Sequence, residues 1–235
     1  IPKGSLRLKT IRMKKIYLSL LTCALALTAS AQLTLTQAFN QPAIGNVNTK
    51  KGYDSTTVIP KNTGASQSWN FTSLVTNTIT EVSTYTTVAS TPSAASFPLA
   101  SMAESDGAAY NYWRALGTNF ELLGIEDGAG SIISFTNSAI AASFPINFGY
   151  SNTDTFGGPV SVTTTTGTVN GTIQTNATGS GTVTLPGSLV FTNCLQLRTV
   201  NTMTILVGVF PSSFTLNTIS TDYNYYNGAQ KFPIL

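Results

Sequence analysis

The stretch from Gly179 to Arg198, GSGTVTLPGSLVFTNCLQLR, most narrows what this chain can fold into. Val183 and Leu185 fall on one face of a strand of period two, and Pro186-Gly187 ends it. Leu195 and Leu197 then open a second alternating strand, with Gln196 and Arg198 on its other face. Met203, Ile205, Val207 and Val209 continue the parity of Leu195. Thr199 and Asn201 interrupt that face and predict a bend or bulge, and Pro211 ends the strand. The glycines and the proline are turn chemistry, and the stretch carries no catalytic motif.

The same pattern recurs along the chain. Asn170-Gly171 lies between Val160–Val169 and Thr172–Thr178, and Asn227-Gly228 lies between Phe214–Tyr226 and Ala229–Leu235. Both read as hairpins with tight Asn-Gly turns. Ser66–Leu74 reads as a strand with Trp69 and Phe71 on one face. Ile79, Val82, Tyr85 and Val88 fall three apart, but the threonines crowding Thr76–Val88 favour a strand there too. Ala109–Ala115, Asn119–Ile125 and Ser131–Thr136 are three further strands. Leu33, Leu35 and Phe39 suggest a first strand in a lead-in over 32–61. Thr91–Gly107 reads as a loop with one helical turn after Pro98, and Phe144–Tyr150 as a loop on a sheet edge. Residues 32–235 contain 35 threonines and 15 charged residues, a balance that suits sheet rather than disorder. About ten short strands with almost no helix predict an antiparallel all-β domain, a β-sandwich or a strongly curved meander.

The start of the chain has another use. Met13-Lys14-Lys15, the apolar run Ile16–Thr28 and Ala29-Ser30-Ala31 are the three parts of a secretory signal peptide, with cleavage expected before Gln32. Residues 1–12 then read as upstream translation or a fragment artefact, 13–31 as the signal peptide and 32–235 as a single all-β domain, truncated at Leu235 inside a strand. Cys23 offers an alternative lipoprotein signal, with Thr22 where a small residue is preferred. The apolar run is too short to span a bilayer, so no membrane span is expected once the signal is removed. Six of the twelve basic residues and none of the nine acids precede Gln32, leaving residues 32–235 at a formal net charge of −3. The basic character of the whole chain belongs to the leader, and a nucleic-acid partner is excluded.

The chain has no histidine, which removes the Ser-His-Asp triad, the Cys-His pair and most zinc sites. Cys194 reads as a small buried hydrophobe. Glu104-Ser105-Asp106 and Glu126-Asp127 are the close acid pairs. Both precede glycine as turns do; as alternatives they suggest glycoside hydrolysis or a Ca²⁺ site, the one cofactor weighed. Catalytic and metal residues are otherwise none. Tyr110, Tyr112 and Trp113 could form an exposed strip for stacking on sugar rings, although strand aromatics more often pair or enter the core. Arg114 and Arg198 are expected to pair with acids or extend to solvent. The tract Thr163–Thr166 lacks the repeated array that an ice-binding ladder would need.

Gly179–Gly187, followed by Asn193–Arg198, by Tyr223–Leu235, by the early Trp69-Asn70-Phe71-Thr72-Ser73-Leu74 and by the leader ending Ala29-Ser30-Ala31-Gln32, resembles the N-terminal module of secreted Bacteroidota (flavobacterial) proteins. Such modules commonly precede a C-terminal sorting domain for type IX secretion. The resemblance implies a secreted or cell-surface location and transfers no catalytic residue. The expected function is an exported, non-enzymatic accessory or adhesion module of a larger protein, with surface polysaccharide or other envelope proteins as partners. A carbohydrate-binding or carbohydrate-degrading secreted protein is the alternative.

Overall fold

Among the described residues, alternating β-branched and polar residues produce eleven strands that join in one sheet. They are β1 (Val47–Asp54), β2 (Gly64–Asn70), β3 (Val75–Thr86), β4 (Met102–Ser105), β5 (Tyr110–Leu116), β6 (Asn119–Glu126), β7 (Ile132–Ser143), β8 (Ser151–Val162), β9 (Thr165–Leu185), β10 (Leu189–Val207) and β11 (Phe214–Tyr226). The computed structural model describes residues 32–55, 57–162, 165–208 and 213–235. The expected leader at 13–31, residues 1–12, Thr163, Thr164, Val209 and Pro211 lie outside them. From β3 to β11 each strand is antiparallel to the one before it, which is the expected meander, and β1 flanks β3. Among the described residues no helix is long and apolar enough to cross a membrane.

The stretch from Gly179 to Arg198 forms the expected pair. β9 and β10 run antiparallel from Leu185↔Leu189 to Gly167↔Val207. They turn through Pro186–Ser188, where Gly187 has φ of +76°, a conformation that favours glycine. The strand β9 is longer than either neighbour on its other edge. Its first part pairs with β8, and beyond Asn176 the edge passes to β2, which joins in parallel through Trp69↔Val183. A register shift opposite Gln196/Leu197 gives β9 an extra residue. Ala177 and Val183 therefore enter different core clusters despite their common parity. No bulge falls at Thr199 or Asn201, where the ladder is regular.

One cluster of buried side chains shows how the sheet rolls. Tyr85 on β3, Met102 on β4, Phe120 on β6, Ala177 on β9, and Leu195 and Leu197 on β10 share a single core with Leu35, Phe144 and Ile146. In sheet order β4 to β9 separate β3 from β10, so the sheet curves until its two ends face each other. The rolled sheet does not close, because β1 and β11 do not pair. Residues 227–235 cross that gap. Asn227 Oδ1 accepts from the amides of Ala229 and Gln230, Tyr225 exchanges backbone bonds with Ile234 and Leu235, and Phe232 stacks on Tyr85 at 5.9 Å. A second cluster gathers Trp69, Phe71, Val183, Cys194 and Tyr225.

Several expectations are corrected. Asn170-Gly171 is not a turn but lies inside β9. A Cβ at Gly171 would strike the Phe156 ring and the Thr202 carbonyl, so this glycine serves close packing. Residues 229–235 return alongside Tyr225 without forming a strand. The loop read over Thr91–Gly107 contains β4, and its helical turn, Ala94–Ser96, precedes Pro98 instead of following it. β1 was hidden by its polar composition. Gln37–Asn40 is a helical turn rather than strand, with Leu35 bridging Ile146. Phe144–Tyr150 is indeed a loop, but Phe144 and Ile146 fill the interior instead of resting on an edge.

Candidate functional site

Because the sheet rolls, one face of nearly every strand borders an interior cavity of about 240 Å³. Its apolar wall is aromatic: Tyr85, Trp113, Phe120, Phe144, Tyr226 and Phe232. Trp113 and Phe120 stack with ring centroids 4.6 Å apart and planes 8° from parallel. Its polar lining includes Asn48 and Lys50 from β1, Glu104 from β4, Thr175 from β9, Thr199 from β10 and Asn224 from β11. A polar depression continuing from it is lined by Lys50, Glu81, Glu104 and Asp106.

Glu104 is the carboxylate among the described residues that borders the cavity. It accepts the indole N–H of Trp113 at 3.2 Å. Burial, followed by the neighbouring Glu104 charge and the hydrogen bond to it, pushes the Tyr85 hydroxyl far above its ordinary range. Burial likewise pushes the Tyr226 hydroxyl up to about 12. These phenols stay protonated at neutral pH. Glu104 has no Lys or Arg nitrogen within salt-bridge distance among the described residues, although Lys50 borders the same cavity.

The aromatics predicted as a stacking strip are dispersed. Tyr112 is wholly buried, stacked on Phe97 at 3.9 Å, and its hydroxyl oxygen lies 2.9 Å from Thr91 Oγ1 and 3.1 Å from Glu126 Oε2, sharing one proton between them. Tyr110 is half-buried on the same side, with its ring tilted 33° from that of Tyr112. Trp113 points the opposite way into the cavity, as strand alternation requires. The three therefore do not form an exposed strip. The physical reason is the segment before β4, whose Phe97 covers the face carrying Tyr112.

The predicted acids are dispersed as well. Asp106 Oδ1 accepts the amides of Ala108 and Ala109, which hold its carboxyl below the ordinary range. Asp127 Oδ1 accepts those of Ala129 and Ser131. These are turns, as the following glycines suggested. Glu126 is buried under Tyr112, away from Glu104. Among the described residues no group of three His, Cys, Asp or Glu could hold a metal ion, so the predicted Ca²⁺ set is not assembled.

Outside the cavity, Glu121 is 4% exposed and pairs with Arg114 Nη2 at 2.5 Å, while Ser138 donates to the same carboxylate oxygen at 2.9 Å. Burial works against its ionisation, but these donors and the Arg114 charge hold the Glu121 carboxyl below its ordinary range. Burial also pushes the Cys194 thiol up to about 11, against a reactive role.

The sequence reading missed the residues that converge here. Glu104 was read as part of a turn, and Met102 and Glu104 are the i, i+2 pair that marks the inward face of β4. Tyr85 was assigned to a strand without a face. Fold and cavity together define an all-β module, one open rolled sheet around an aromatic-walled interior. Comparison with protein-family models, curated proteins and solved structures returns no match to this chain.

Proposed function

We propose that this chain is an exported, non-enzymatic binding module of a larger secreted or cell-surface protein, and that it receives a small ligand in the interior cavity. The observation carrying the reading is convergence: five strands deliver polar groups of both signs to one aromatic-walled space, as small-molecule sites do. Among the described residues Glu104 is the one carboxylate of the cavity lining, while Glu81 and Asp106 line the adjoining depression, so no carboxylate pair for glycoside hydrolysis faces a ligand inside the cavity. This favours binding over the carbohydrate-degrading alternative. The N-terminal signal pattern and the resemblance to secreted Bacteroidota modules support export.

Two experiments test the reading. Ala142→Trp would place an indole in the cavity from its β7 wall. The expected result is a folded protein, by circular dichroism, that no longer binds small ligands. Retained binding in that variant would place the site elsewhere. For export, the intact mass of the secreted protein should correspond to a chain beginning at Gln32. A retained leader would refute this part.

A further inference from the structure

We infer that the cavity takes a single saccharide ring, free or at the end of a glycan; this rests on the cavity being the binding site. Size comes first. About 240 Å³ is the liquid volume of roughly eight waters, the scale of one six-membered ring with its hydroxyls and not of a long acyl chain.

Hydrogen-bonding sense comes next. Glu104 only accepts, Lys50 only donates, and Asn224, Thr175 and Thr199 do both. A polyhydroxylated ring donates and accepts at every position, so it can satisfy all of them. An apolar ligand would desolvate the same groups without replacing their hydrogen bonds, at about 1–3 kcal/mol each. A singly charged ligand would meet both signs.

Glu104 is held for this task. The Trp113 indole N–H holds the carboxylate at 3.2 Å, and of its roughly four lone-pair sites most remain for hydroxyls of a neighbouring pair on the ring. Alongside it, the aromatic side chains of the lining supply apolar contact for the C–H groups of a sugar. At the β8–β10 side of the interior, two buried side-chain atoms lack a partner among the described residues: Asn152 Nδ2, a donor, and Asn201 Oδ1, an acceptor. Asn152 is in register with Thr175, and Asn201 lies two residues from Thr199 on the same face. Buried polar atoms of this kind are normally satisfied; here they lie behind Thr175 and Thr199, outside the cavity lining itself.

The test uses saturation-transfer NMR on the purified protein with methyl glycosides of glucose, galactose, mannose and N-acetylglucosamine, and with indole as an apolar ring of similar size. At least one glycoside should saturate at one site. Glu104→Gln should weaken it about tenfold or more, as should the double variant Thr175→Val/Thr199→Val, while Tyr110→Phe leaves it unchanged. Binding of indole but of no glycoside, abolished by Ala142→Trp, would overturn the saccharide assignment and leave the binding cavity standing. If neither class binds, both the assignment and the cavity reading fall.

Discussion

Replacing Tyr225 by Phe removes one oxygen from a buried chain of hydrogen bonds. The Tyr225 hydroxyl accepts from Gln196 Nε2 at 2.7 Å and donates to the Pro60 carbonyl at 3.0 Å, while Thr178 Oγ1 donates to Gln196 Oε1 at 2.8 Å. Gln196 is 0% and Tyr225 1% exposed, so water does not readily replace the lost partner. Two groups are orphaned at once, the Gln196 amide N–H and the Pro60 carbonyl. At about 1–3 kcal/mol for each desolvated group, and with some relief at the less buried Pro60, the expected loss is about 2–4 kcal/mol. For a domain of this size that is roughly 4–16 °C in Tm. The assay is equilibrium urea unfolding followed by tryptophan fluorescence, with the m-value as a check that unfolding stays two-state. Gln196→Leu and the double variant complete a cycle. The double variant should cost less than the sum of the singles by about 1 kcal/mol or more, since each single change already breaks the shared bond. A Tyr225→Phe loss below about 0.5 kcal/mol with an unchanged m-value would refute the reasoning, because the hydroxyl would then lack the buried partners assigned to it.

Four further predictions concern other parts of the fold. The folded-state pKa of Glu121 lies below its ordinary value, so its pairing contributes stability that is present above the unfolded pKa near 4.3 and is lost as pH falls through the folded pKa. Glu121→Gln should therefore be less stable at pH 7 and show a shallower acid limb in urea midpoints, and an unchanged acid limb would contradict the pairing. Gly171→Ala should cost about 1–3 kcal/mol by overpacking against Phe156 and the Thr202 carbonyl. Gly187→Asn should be nearly neutral, because the space around Gly187 is open and Asn tolerates positive φ; chemical denaturation distinguishes the two. Cys194, buried with its thiol pushed up to about 11, should resist iodoacetamide at pH 8 until the protein is unfolded, and rapid stoichiometric labelling of the folded protein would show the burial to be wrong.

Strand identity was legible wherever β-branched and aromatic residues alternate. The pair around Pro186-Gly187, the strands β5 and β6, and the burial of Trp69 and Phe71 all follow from the sequence pattern. Turn dipeptides were less informative. Asn-Gly can form a tight turn at Asn170-Gly171, but the same glycine also allows Phe156 to pack against the strand, and tertiary packing decided between the two. Polar edge strands such as β1 give no alternating apolar signal, because their neighbours cover them on one side only. The cavity was not legible, since its residues come from strands far apart in sequence and meet only because the sheet rolls. Trp113 and Tyr112 were both noticed, but adjacent residues on a strand face opposite ways. One therefore borders the cavity while the other enters the core.

The most direct measurement of the cavity uses the two tryptophans of this chain. The Trp113 indole N–H is bonded to Glu104 at the cavity, whereas the Trp69 indole N–H is bonded to the Asn62 carbonyl at 2.9 Å in the other core cluster. In ¹⁵N-correlated spectra each gives one indole peak, assigned by Trp69→Phe and Trp113→Phe. On titration with each methyl glycoside or with indole, a bound ligand should shift the Trp113 peak saturably and leave the Trp69 peak in place. Saturable movement of Trp69 alone, or binding that leaves Trp113 untouched, would contradict a ligand site inside the rolled sheet.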